Sequence, residues 1–227
     1  MSNIHDESWK GTLTPSSLKA FIANNPSIIN SKGGIKDVTP LAAACWGGHV
    51  KVVKLLLKEG ADPNAPSPHQ RTPFYFVTTR TPPENRGAIV QALINKDVNL
   101  VNIPCDENGN TPLMNAISQI KDKEVIHELV DHGAILDKKN KKDQTAETLA
   151  KKHGLLRHIK PKSERETSRA KIVDMVVSLV QAILSYSNEG FLDTVVRGAV
   201  KSLYGISGKM DPELEKVPTY ILDWVHS

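Results

Sequence analysis

At 227 residues, with 39% apolar residues and a formal charge of +4, the chain has the make-up of a soluble globular protein of one large or two modest domains. So mild a charge does not by itself imply a nucleic-acid partner. Two cysteines 60 residues apart, Cys45 and Cys105, give neither a disulfide framework nor a metal-ligand spacing, which points to an intracellular setting, cytoplasm or nucleus.

In chain order, the first elements expected are helices over 4–10 and 17–24, with Thr14-Pro15-Ser16 lengthening the turn between them. A second helix pair starts at Thr39-Pro40-Leu41. Threonine before proline caps a helix start, and proline is tolerated at the first helical position because that N–H is orphaned anyway. Small Ala42, Ala43 and Ala44 let this helix approach its neighbours, while Val52, Val53, Leu56 and Leu57 recur at helical spacing on the next one. Gly60 suits the left-handed turn that ends it. A third pair starts at Thr72-Pro73-Phe74, and its Pro-rich inter-helix turn, 81–87, is expected to protrude and to tolerate change. The fourth pair starts at Thr111-Pro112-Leu113, and a weakened copy at Thr145-Ala146 follows. Residues 161–167 read as a basic linker. Beyond it, 168–187 and 191–204 carry apolar residues at helical spacing, and Asp211-Pro212-Glu213 marks another helix start. The apolar run 172–184 is too short to span a bilayer and is interrupted by Asp174, Ser178 and Gln181. These helices need a partner surface: the preceding unit, a second copy of the chain (self-association), or the rest of a larger domain of which 168–227 is a fragment.

The Thr-Pro steps are 33, 39 and 34 residues, the long one holding the Pro-rich insertion. Asn30, Asn64, Asn102 and Asp137 keep the same beat, each eight or nine residues before the next Thr. The second unit reads Thr39-Pro40-Leu41-Ala42-Ala43-Ala44, Gly48-His49, Val52-Val53-Lys54-Leu55-Leu56-Leu57 and Gly60-Ala61-Asp62-Pro63-Asn64. With these residues the chain resembles the ankyrin-repeat family. The resemblance implies an all-α solenoid of helix-turn-helix units with β-hairpin loops over residues 1–160, in about five repeats with the first and last degenerate. It also implies a protein partner on the concave face, formed by inner helices and hairpin tips. A helical region, 168–227, follows.

No residue constellation supports an enzyme, a metal or a cofactor. Cys45 and His49 are four apart, but His49 lies in the family's Gly-His turn and Cys45 at a small-residue packing position. His127-Glu128 lacks the second histidine of a zinc-binding helix, and His127 reads as a solvated surface residue. From Lys138 to Lys171 there are 12 Lys and Arg against 4 Asp and Glu. That segment is a candidate for phosphate-dependent binding to nucleic acid or anionic lipid, although it has no aromatic residues for base stacking. A further reading is an N-terminal targeting module of a longer multidomain protein.

For the family's partner surface, register selects the two residues before each inter-helix turn: Trp9 and Lys10, Trp46 and Gly47, Thr79 and Arg80, Ser118 and Gln119. Arg71, just before its Thr-Pro, joins them at a hairpin tip. The expected partner-binding set is therefore Trp9, Lys10, Trp46, Arg71, Thr79, Arg80, Ser118 and Gln119, with the two tryptophans side by side and an arginine beside them.

Overall fold

The computed structural model describes residues 3–34 and 36–166. The helices expected beyond 168, with their docking or self-association, lie outside the described residues. Up to Arg165 the chain forms one compact unit.

Among the described residues, nine α-helices lie between Ile4 and His153. They are α1 (Ile4–Lys10), α2 (Pro15–Asn24), α3 (Pro40–Gly47), α4 (Val50–Lys58), α5 (Pro73–Val77), α6 (Pro83–Lys96), α7 (Pro112–Asn115), α8 (Lys123–Asp131) and α9 (Ala146–His153). Thr39, Thr72 and Thr111 each stand at the N-cap with proline at the first helical position, so the three repeats start alike. The Thr39 and Thr111 hydroxyls accept from the N–H groups of Ala42 and Met114, which satisfies one orphan donor at each start. Thr145 caps α9 the same way without proline.

The inner helices pack in series, α1 on α3, α3 on α5, α5 on α7 and α7 on α9; in the outer row α4 packs on α6 and α6 on α8. Ala42, Ala43, Ala44 and Cys45 are fully buried, because only short side chains fit between inner helices this close. Val52, Val53, Leu56 and Leu57 of α4 are buried as their spacing requires, and one continuous apolar core runs from Ile4 to Ile159. Such a unit cannot bury its own apolar face, so each repeat is stabilised by its neighbours.

The asparagine beat has a structural cause. The Asn30 Oδ1 accepts from the Asp62 N–H at 2.8 Å, and the Asn102 Oδ1 accepts from the Ile135 N–H at 2.8 Å. Each asparagine thus satisfies the backbone just past the next outer helix. The hairpin loops close through single bridges, Gly33 with Val38 and Ser67 with Arg71, and no strand forms among the described residues.

Two expectations are corrected. Of Thr14-Pro15-Ser16 only Thr14 belongs to the turn, which spans 11–14 against 48–49 in the second repeat: Thr14 caps α2 in a capping box with Ser17, and Pro15 is the first helical residue. The Pro-rich insertion does not protrude as a loop. Its extra residues extend α6 to 14 residues, against 9 for α4 and for α8. Thr81 is fully buried and its hydroxyl donates to the Cys45 carbonyl at 2.6 Å. Arg86 donates to the Thr81 carbonyl at 3.1 and 2.9 Å and meets the Asp122 carboxylate at 2.9 Å. Within the segment read as a basic linker, residues 162–166 are helical, and Arg165 meets both Asp131 oxygens at 2.9 and 2.7 Å. Among the described residues no helix is long and apolar enough to cross a membrane.

Candidate partner-binding surface

The inner helices bring a row of aromatic side chains together across three repeats. Trp9 ends α1, Trp46 lies near the end of α3, and Tyr75 and Phe76 sit in α5. The Trp9 and Trp46 rings meet edge to face with centroids 4.8 Å apart. Trp46 stacks on Phe76 at 5.2 Å, and Phe76 meets Tyr75 edge to face at 5.3 Å. Phe76 is buried, whereas Trp9, Trp46 and Tyr75 are half-buried, with part of each ring at the surface.

Cations line the same row. Lys36 reaches over both tryptophans, 5.7 Å from the Trp9 ring and 5.2 Å from the Trp46 ring. Arg80 lies 6.0 Å from Trp46, and Arg71 lies 4.9 Å from Tyr75. These distances are within cation–π range. Beside Trp9 opens a cleft of about 140 Å³ lined by His5, Asp6, Lys10, Lys36, Val38 and Ala43. His5 forms its inner wall, holding the Ser31 carbonyl through Nε2 at 3.0 Å. Asp6 accepts from the Asn3 side-chain amide at 2.8 Å.

The structure thus brings Trp9, Lys10, Trp46, Arg71 and Arg80 onto one surface. Thr79 lies next to Arg80, but its hydroxyl donates to the Tyr75 carbonyl at 2.7 Å. Ser118 and Gln119 are not joined to the row by any described ring contact or hydrogen bond. There α7 continues as a π-turn, Ala116–Ile120, which displaces the helical register, and the Ser118 hydroxyl donates to the Met114 carbonyl at 2.8 Å. Lys36, Tyr75 and Phe76 are the members that sequence reasoning missed. A signal existed: Tyr75 and Phe76 stand three and four residues after Thr72, where the second repeat has Ala42 and Ala43 after Thr39.

His49 is held by structure. Its Nε2 donates to the Trp9 carbonyl at 2.8 Å, and a Cβ on Gly47 would lie 2.6 Å from that oxygen. Cys45 is fully buried, and burial pushes its thiol well above the usual range, so no thiolate is on hand to meet the imidazole. Burial with the Asp106 charge does the same to Cys105.

His127 is not a solvated surface histidine. It is half-buried, and its Nε2 lies 3.0 Å from the Nδ1 of buried His158. Arg157 Nε donates to His158 Nε2 at 3.0 Å. A guanidinium can only donate, so His158 carries its proton on Nδ1 and donates it to His127. Burial, then the Arg157, His127, Lys123 and Arg165 charges, lower the His158 imidazole to about 4.

Much of the basic segment is engaged internally. Lys138 donates to the Asn102 carbonyl, Lys139 meets Asp143, Lys160 meets Glu164, and Arg165 meets Asp131.

The family model for the ankyrin repeat matches residues 36–68 and 108–141, which hold the α3–α4 and α7–α8 pairs. No curated protein matches the chain.

Proposed function

We infer, from the premise that this chain is an ankyrin-repeat protein, that it holds a partner protein on the surface formed by Trp9, Trp46, Tyr75 and their cations. Repeats of this kind serve protein–protein interaction by presenting an extended surface made of successive units. The observation that carries the reading is the unbroken Trp9–Trp46–Phe76–Tyr75 row, which crosses three repeats with ring area left at the surface. Tryptophan, tyrosine and arginine are the types that dominate interface energetics, the aromatic pair because they bury much area at little entropy cost and arginine because its guanidinium both donates and stacks. Site-specific photo-crosslinking tests it. A photoreactive residue at Arg80, on this face, should capture a defined partner, and one at Lys54, on the outer helix α4, should not. Equal capture from both positions, or capture from Lys54 alone, would remove the assignment.

A further inference from the structure

We infer that the segment seated on the aromatic row is an acidic stretch of the partner protein; this rests on the reading above that the surface of Trp9, Trp46, Tyr75 and their cations holds a partner (the groove reading) and adds its chemistry. Four cations edge the row: Lys10, Lys36, Arg71 and Arg80. Among the described residues none of the four has a carboxylate within 4.0 Å. Asp6 is held by Asn3, Glu107 meets His69, and Asp37 sits in the hairpin tip beside Lys36. Among the described residues all four cations thus stand outside any ion pair, and a ligand complementary to them brings negative charge.

The rings decide between the two classes of anionic ligand. A single-stranded nucleic acid binds through open aromatic faces on which bases stack. Here a cation already lies over each half-buried ring, Lys36 and Arg80 over Trp46, Lys36 over Trp9 and Arg71 over Tyr75, so a stacking base would have to displace it. The rings orient the cations, and a ligand meets these cations beside the ring area left at the surface. Carboxylates accept from ammonium and guanidinium groups without displacing them. The cleft beside Trp9, with Val38 and Ala43 in its wall, has room for one apolar side chain between Lys10 and Lys36. An extended acidic segment carrying one such side chain fits both features.

The test is selection of a random dodecapeptide library displayed on phage against the full chain, with oligothymidylate as the competing anion. Enriched peptides rich in Asp and Glu are expected, weakening as salt rises. The Lys36→Glu and Arg80→Glu variants should each lose about tenfold or more in affinity, and both side chains are exposed, so the unfolding midpoint should hold. Peptides that need Trp46 (lost in Trp46→Ala) but are neutral or basic would overturn the acidic chemistry and leave the groove reading standing. Peptides that bind Trp46→Ala and both charge variants as well as the parent would overturn the groove reading itself. Oligothymidylate displacing the peptides and binding more tightly, or no enrichment over an unrelated protein, would also overturn the proposal.

Discussion

The imidazole of His49 donates to the Trp9 carbonyl, 2.8 Å away, so the second repeat closes the final turn of the first. That carbonyl is one of the four that α1 leaves without an intrahelical partner. Replacing His49 with alanine removes the donor and leaves a cavity at the junction. The expected loss is about 1–3 kcal/mol in denaturant unfolding. Hydrogen exchange should quicken first in α1 and at Gly11, whose backbone packs against the ring.

The segment from Thr81 to Gly87, which enters α6, should resist shortening. Thr81→Val removes the donor to the Cys45 carbonyl while keeping the shape, and about 1–2 kcal/mol of stability should go with it. Arg86→Ala should cost a similar amount or more, since it leaves Asp122 without its guanidinium and the Thr81 carbonyl without two donors. Equilibrium unfolding of the two variants checks both values. A change within experimental scatter would mean that the segment bears no part of the packing.

Lys121 ends the π-turn at φ 53°, in the left-handed region where a side chain is strained. The first two repeats place Gly11 and Gly48 in this conformation at the ends of α1 and α3. Lys121 is exposed, so Lys121→Gly relieves strain and removes little else. Stability should rise by about 0.5–1 kcal/mol, reduced by the extra freedom glycine gains in the unfolded chain. A lower thermal midpoint for this variant would refute the strain assignment.

His158 gives the fold an acid-side dependence. Its folded pKa is lowered, to about 4 from 6.5, so the unfolded chain binds the proton more readily. The stability it contributes is therefore complete above pH 6.5 and is lost as pH falls toward 4. Protonation would place a second N–H against Arg157, which can only donate. Allowing for solvent screening, the contribution is on the order of 1 kcal/mol. His158→Gln should flatten the difference between unfolding free energies at neutral pH and at pH 4 relative to the parent. Parallel pH profiles for the two proteins would exclude the assignment.

Much of this architecture is legible in the sequence because it is periodic. Thr39, Thr72 and Thr111 cap helices in all three places, and Asn30 and Asn102 recur because each binds the backbone of the following unit. What escapes the period depends on distant neighbours. Whether Thr81 is exposed depends on the Cys45 carbonyl 36 positions earlier, and the place of Arg86 depends on Asp122. The surface was half legible for the same reason. Register places Trp9 and Trp46 together, but Lys36 joins them only when the hairpin tip folds back over both rings. Ser118 and Gln119 leave the row because a π-turn, which carries no sequence period, intervenes.

The Thr81–Arg86 hydrogen bonds also bear on cooperativity. Repeat arrays behave as a one-dimensional chain, in which intrinsic unit stability competes with nearest-neighbour coupling. The third unit has a five-residue inner helix, whose own propagation could not sustain it. Yet through Thr81 it holds the Cys45 carbonyl of the unit before, and through Arg86 the Asp122 carboxylate of the unit after. A unit whose inner helix is this short thus carries side-chain coupling in both directions. Residues 3–165 should therefore melt as one cooperative block, with no partly folded state divided at the centre of the array.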